Sequence, residues 1–185
     1  MPAEVLMFDA AAVNAPMQHE LEAACARVLR HGRFILGPEV AELEARLAAE
    51  VGVEHGISCS SGTTALQMAL MALGIGPVDE VILPTFTFAA PIEAVLLLGA
   101  TPVLADIEPG THALSADSAA SLISERTRAI IAVSLYGQPA DFDALQALAD
   151  EYDLALIEDA AQSFGAELRG EIAADSEANA EDIVA

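Results

Sequence analysis

The stretch Leu154-Ala155-Leu156-Ile157-Glu158-Asp159-Ala160-Ala161-Gln162-Ser163 decides the fold. Its first four residues are an apolar run of the kind that forms a strand buried on both faces of a parallel sheet. Two carboxylates, Glu158 and Asp159, follow at the carboxyl end of that run. In open α/β sheets this edge is where ligands bind. A carboxylate there is partly desolvated and needs a cationic partner, either a metal ion or a protonated nitrogen on a cofactor. The plainer alternative is an acid that caps the next helix or pairs with an arginine.

Outward from this stretch, strands and helices alternate. Strands are expected over 56–59, 80–83, 101–106, 129–135 and 154–157. Helices are expected over 63–73, 89–98, 116–124 and 141–152. Glycine or proline punctuates several ends, at Gly74, Pro84 and Gly99. Alternation at this spacing predicts right-handed βα units and a mostly parallel sheet covered on both faces, a three-layer α/β/α class. Two amphipathic helices precede it, over 17–29 with Leu21, Ala24, Cys25, Val28 and Leu29 on one face, and over 38–50 with Pro38 as first residue. Residues 1–15 read as irregular. The organisation is one unit over 1–170, followed at 171–185 by a stretch with five acids and no base. That stretch reads as an acidic, disordered tail.

The chain has 29 acids against 7 bases, a net charge of −22, and every base is an arginine. Such an excess argues against binding nucleic acid or an anionic membrane. The longest apolar stretch, around 94–100, is too short to span a bilayer. No basic segment opens the chain as a signal peptide does, so a cytoplasmic location is expected. Cys25 and Cys59 suggest neither a disulfide framework nor a zinc site. The four histidines fall at no metal-ligand spacing, so no metal is expected, and a metal enzyme built on Asp159 lacks further ligands.

Two further stretches lie at strand ends. Cys59-Ser60-Ser61-Gly62-Thr63-Thr64 leads into a helix with small hydroxyl residues and one glycine at the turn. Free amides and the helix dipole make such a start an anion site, although capping by Ser60 or Ser61 explains the same residues. Pro84-Thr85-Phe86-Thr87-Phe88 sets aromatic rings beside hydroxyls at the same edge, where rings stack on planar ligands or serve as core. Phosphate loops of the nucleotide-binding kind are unsupported, because Gly-Lys-Ser/Thr needs a lysine and the chain has none. Acid, anion site and aromatic ring together suit pyridoxal phosphate, whose ring nitrogen an acid holds protonated.

Four ordered motifs carry a family resemblance. They are Gly32-Arg33-Phe34-Ile35-Leu36-Gly37-Pro38-Glu39-Val40, Ser61-Gly62-Thr63-Thr64-Ala65-Leu66, Leu135-Tyr136-Gly137-Gln138-Pro139-Ala140-Asp141 and Glu158-Asp159-Ala160-Ala161-Gln162-Ser163-Phe164-Gly165. With them the chain resembles the DegT/DnrJ/EryC1/StrS sugar aminotransferases, which have the aspartate-aminotransferase fold (fold type I). The wording Val133-Ser134-Leu135-Tyr136-Gly137-Gln138 is similar to enzymes that aminate a 3-keto, UDP-linked N-acetyl-hexuronic acid. The resemblance implies that Asp159 pairs with the pyridine nitrogen of pyridoxal phosphate and that Gln162 lies near its phenolic oxygen. It further implies that Gly62, Thr63 and Thr64 hold the phosphate and that Phe88 stacks on the ring. The implied partners are a nucleotide-sugar substrate, an amino-acid donor, and a second copy or complementing chain.

One departure bears on activity. In the family a lysine beyond the Glu-Asp-Ala-Ala-Gln motif forms the Schiff base and then moves the proton. Here the pattern is left after Arg169-Gly170, and no lysine occurs anywhere. The expectation is therefore an incomplete large domain, truncated before that lysine and inactive alone. The alternative is a non-catalytic pyridoxal-phosphate-binding pseudoenzyme or one half of a split enzyme.

Overall fold

The computed structural model describes residues 8–168, 171–172 and 183–184. Four strands, β1 (Glu80–Pro84), β2 (Thr101–Ala105), β3 (Thr127–Val133) and β4 (Ala155–Asp159), form a parallel sheet in the order β2-β1-β3-β4. Parallel neighbours need crossovers, and helices supply them. After α1 (Ala10–Asn14), α2 (Gln18–His31) and α3 (Pro38–Glu50), α4 (Gly62–Ala72) leads into β1. Then α5 (Ala90–Leu97) joins β1 to β2, α6 (Ala116–Leu122) joins β2 to β3, and α7 (Phe142–Tyr152) joins β3 to β4.

Side chains alternate across the sheet and fill two cores. Val81, Leu83, Ala129, Ile131 and Ile157 pack with Leu66 and Leu70 of α4 and Val95 of α5. Ile82, Ile130, Ala132 and Leu156 pack on the other face with Ala119 of α6 and Leu145 and Ala149 of α7. Both faces of β1 and β3 are thus covered, which is why these strands read as unbroken apolar runs rather than alternating ones. Each fully buried Leu or Ile contributes roughly 1.5–3 kcal/mol relative to exposure.

The structure revises several expected boundaries. The segment 56–59 is no strand. The Glu44 carboxylate accepts both the Ser58 amide (2.9 Å) and the Ser58 hydroxyl (2.8 Å), so that amide is spent on α3 instead of a ladder. Gly56 passes so close to α3 that a Cβ would lie 2.6 Å from the Glu44 carbonyl oxygen. Ala10–Asn14 is helical rather than irregular, because the Asp9 side chain caps α1 by accepting the Ala12 amide at 3.0 Å. The third strand stops at Val133, and Leu135–Gly137 is a 3₁₀ turn.

Helix α2 forms, yet its apolar face is not buried: Leu21 and Leu29 stay exposed and no residue of the helix is in the core. Beyond β4, β5 (Glu167–Leu168) and β6 (Glu171–Ile172) pair antiparallel, and β7 (Ile183–Val184) lies parallel against β4. Two short pieces of the segment read as a tail thus pair as strands, and the rest of that segment lies outside the described residues. Among the described residues no helix is long and apolar enough to cross a membrane.

Candidate functional site

The last two residues of β4 are Glu158 and Asp159, so the strand runs two residues beyond the end expected at 157. Successive strand side chains point to opposite faces. Asp159 therefore emerges on the side of Ile157, the side covered by α4, and Glu158 on the other. Ser134, just past β3, donates its hydroxyl to Glu158 Oε1 at 2.9 Å, with both residues buried. The Ser134 amide also bonds the Asp159 carbonyl at 3.1 Å, which extends the β3–β4 ladder to the sheet edge.

Asp159 is buried, at 8% exposure, and its Oδ1 accepts the Ala161 amide at 3.1 Å. Among the described residues no arginine or histidine is paired with it. Burial pushes its carboxyl pKa up, with the Ala161 hydrogen bond opposing the shift. Glu80, at the opposite end of the sheet, is a useful contrast. It is equally buried, yet it accepts the Ser124 hydroxyl at 2.5 Å and pairs with the Arg126 guanidinium. Those bonds, Ser124 first, hold its pKa below the ordinary value. Glu80 is neutralised within the chain; Asp159 sits at the carboxyl edge with no cation paired to it among the described residues.

Because α4 runs into the start of β1, its own first turn lies at the carboxyl edge of the sheet. Ser61 caps it: its Oγ accepts the Thr64 amide at 3.2 Å and bonds Thr64 Oγ1 at 3.0 Å. The Ser60 hydroxyl also reaches Thr64 Oγ1, at 3.1 Å. The Ala65 amide goes to the Ser61 carbonyl. This leaves the amides of Gly62 and Thr63 without an acceptor among the described residues, at the positive end of the helix dipole. Nothing lies within 4 Å of where a Gly62 Cβ would sit, so the approach is open. Capping therefore uses only part of the turn: Thr64 is engaged in the cap, and the amides of Gly62 and Thr63 remain available.

Gln162 does not point into open space. Its Oε1 accepts the Tyr136 amide at 2.9 Å, and its carbonyl oxygen lies 3.6 Å from where a Gly137 Cβ would be. The turn after β4 is thereby tied to the turn after β3. Phe88 is 70% exposed and has no ring partner among the described residues. The sequence reading overlooked two features. Ser134 joins both strand-end residues, and the ring of Tyr136 stands 6.4 Å from that of Phe86, which in turn is 5.8 Å from His112. A groove formed by α1 and α2, from Ala11 to Leu29, shares no residue with this edge. Among the described residues no three His, Cys, Asp or Glu side chains gather as a metal site.

With that geometry, comparison with known proteins becomes specific. A model of the DegT/DnrJ/EryC1/StrS aminotransferase family matches residues 16–180. The chain belongs to that family. It is 56% identical over 157 residues to the UDP-2-acetamido-2-deoxy-3-oxo-D-glucuronate aminotransferase of Pseudomonas aeruginosa, covering 85% of this chain and 44% of that protein. The crystal structure of Streptomyces venezuelae DesV in complex with a ketimine intermediate superposes with a TM-score of 0.89 at 45% identity, covering 91% of this chain and 46% of DesV. Bacillus subtilis NtdA with bound cofactor PMP superposes with a TM-score of 0.79 at 35% identity, over 84% of this chain and 36% of NtdA. The fold is thus that of part of a fold-type-I aminotransferase, and the chain spans less than half the length of these relatives.

Proposed function

We propose that this chain is the cofactor-holding portion of a pyridoxal-phosphate-dependent aminotransferase acting on a keto group of a nucleotide-linked sugar. The observation that carries the reading is Asp159, a buried carboxylate at the carboxyl edge of the sheet with no cation paired to it among the described residues. A protonated pyridine nitrogen supplies that charge, and the pairing would reverse the upward shift that burial imposes. The amides of Gly62 and Thr63, with the hydroxyl of Thr63, would hold the phosphate, and Thr64 holds the turn in shape. Phe88 would cover the ring face, and Gln162, fixed by the Tyr136 amide, would sit beside the phenolic oxygen. When bound, the cofactor supplies an electron sink at the substrate carbon.

No side chain here is a lysine, so the residues present hold the group without anchoring it covalently. We infer that the chain does not transaminate by itself. The bare apolar face of α2 favours a second component, a complementing chain or another copy, that covers it. The homology to the P. aeruginosa enzyme supports a UDP-linked 3-keto hexuronic acid as the sugar and an amino acid as donor.

The test is an absorbance titration of the purified chain with pyridoxal phosphate, followed by borohydride. A shifted, saturable band is expected, lost in Asp159→Ala and not fixed to the chain by reduction. No saturable band in the wild type, or an unchanged band in Asp159→Ala, sinks the proposal.

A further inference from the structure

Three successive loops at the carboxyl edge each present one ring: Phe86 after β1, His112 after β2 and Tyr136 after β3. They meet. The Phe86 ring lies 5.8 Å from His112 at 46° and 6.4 Å from Tyr136 at 57°. Such tilted contacts leave ring faces uncovered, and the rings are solvent-exposed, Tyr136 at 74% and Phe86 at 45%. A cluster that served only the core would be buried, as the rest of β1 and β3 is.

The backbone that places them is costly. His112 and Tyr136 both adopt left-handed conformations, φ 61 and φ 58, which side-chain-bearing residues avoid. Each is held by a specific bond: the His112 amide donates to the Glu108 carbonyl at 2.8 Å, and the Tyr136 amide to Gln162 Oε1 at 2.9 Å. Strain retained in this way clusters at ligand sites. The second bond also sets the distance scale, because it ties Tyr136 to the turn that follows Asp159.

We propose that Phe86, His112 and Tyr136 form an aromatic platform for the pyranose ring of the substrate, and that it determines which sugar is accepted. The inference rests on the sugar-nucleotide reading above and adds the subsite. The choice between the two rings of a nucleotide sugar follows from connectivity. The carbon that receives the amine belongs to the pyranose, so the pyranose must lie at the Gln162 end of the cofactor, beside the phenolic oxygen and across the ring from the nitrogen that Asp159 holds. The base is removed from it by a diphosphate and a ribose. Axial C–H bonds of a pyranose carry slight positive charge and settle on the negative face of an aromatic ring. The arginine pairs at the sheet, Arg126 with Glu80 and Arg128 with Asp79, lie at the opposite edge and do not reach a diphosphate bound here. The platform therefore recognises the sugar by shape and apolar contact, with charge recognition left to other groups.

Saturation-transfer NMR on the full 185-residue chain tests this, with UDP-N-acetylglucosamine as a stable probe that has no keto group. Pyranose protons are expected to receive more saturation than uracil H5 and H6. Tyr136→Ala should lower the pyranose transfer about two- to tenfold, Tyr136→Phe should restore it, and Phe86→Ala should weaken it from the other side of the cluster. Tyr152→Phe, in α7, is the control that leaves it unchanged. Stronger transfer to uracil, unchanged pyranose transfer in Tyr136→Ala and Phe86→Ala, or no transfer at all overturns the proposal. The experiment needs no cofactor, so its failure is separate from loss of the pyridoxal phosphate band. A missing band with pyranose transfer retained would count against Asp159 and leave the platform standing.

Discussion

Replacing Ser61 by aspartate separates the two jobs assigned to the first turn of α4. As a cap, the Ser61 hydroxyl accepts the Thr64 amide at 3.2 Å, a bond whose loss in Ser61→Ala costs about 1 kcal/mol. For a chain of 185 residues that is a melting point lower by roughly 2–4 °C. Aspartate caps about as well as serine, so Ser61→Asp should melt within about 2 °C of the wild type. It also puts a negative charge beside the free amides of Gly62 and Thr63. Two unit charges about 4 Å apart repel by about 1 kcal/mol in water and about 4 kcal/mol in a protein-like surface dielectric. Ser61 is exposed, which favours the lower figure, and a phosphate dianion doubles it to about 2 kcal/mol or more. Affinity for pyridoxal phosphate should therefore fall about 30-fold or more in Ser61→Asp. Thermal melts by circular dichroism and the absorbance titration give both numbers on the same samples. A folded Ser61→Asp chain that binds within about threefold of the wild type would falsify the anion role of this turn. A Ser61→Ala chain as stable as the wild type would refute the cap.

The raised pKa of Asp159 has a defined consequence for stability. The folded chain binds this proton more tightly than the unfolded chain, so the group costs stability as pH rises from the ordinary value of 3.8 through its folded pKa. Asp159→Asn should gain on the wild type over that rise and keep its advantage at neutral pH, while losing the cofactor band. Urea unfolding at a series of pH values reads the difference, and a gap that is flat or grows the other way contradicts the assignment. Ser134→Ala removes a hydroxyl from a buried carboxylate and should cost about 1–3 kcal/mol, or roughly 2–12 °C in melting temperature. A loss below about 0.5 kcal/mol would show that the Ser134–Glu158 bond matters little.

The elements with strong local signals were legible. Helices α3, α4 and α7 start within a residue of the expected positions, because Pro38, Ser61 and Asp141 set their starts. The expectation failed at 56–59, where a short apolar stretch is indistinguishable from a strand until Glu44 on a distant helix claims its amide. The partner of Gln162 was not legible either: a glutamine in a turn offers no pattern that names it, and the Tyr136 amide is 26 positions away.

From the sequence alone came the parallel α/β class, the family, the acid at the strand end, the capped glycine turn, and the want of a lysine. All of these are local patterns or single residues, and neighbours within a few positions along the chain are enough to read them. Tertiary structure decided which carboxylate is bonded to Ser134 and which is left facing the edge, because strand alternation assigns faces but not what covers them. It gathered Phe86, His112 and Tyr136 from three separate loops into one cluster. It also left the apolar stripe of α2 exposed, since amphipathic spacing specifies a face to be buried and only packing supplies the surface that buries it.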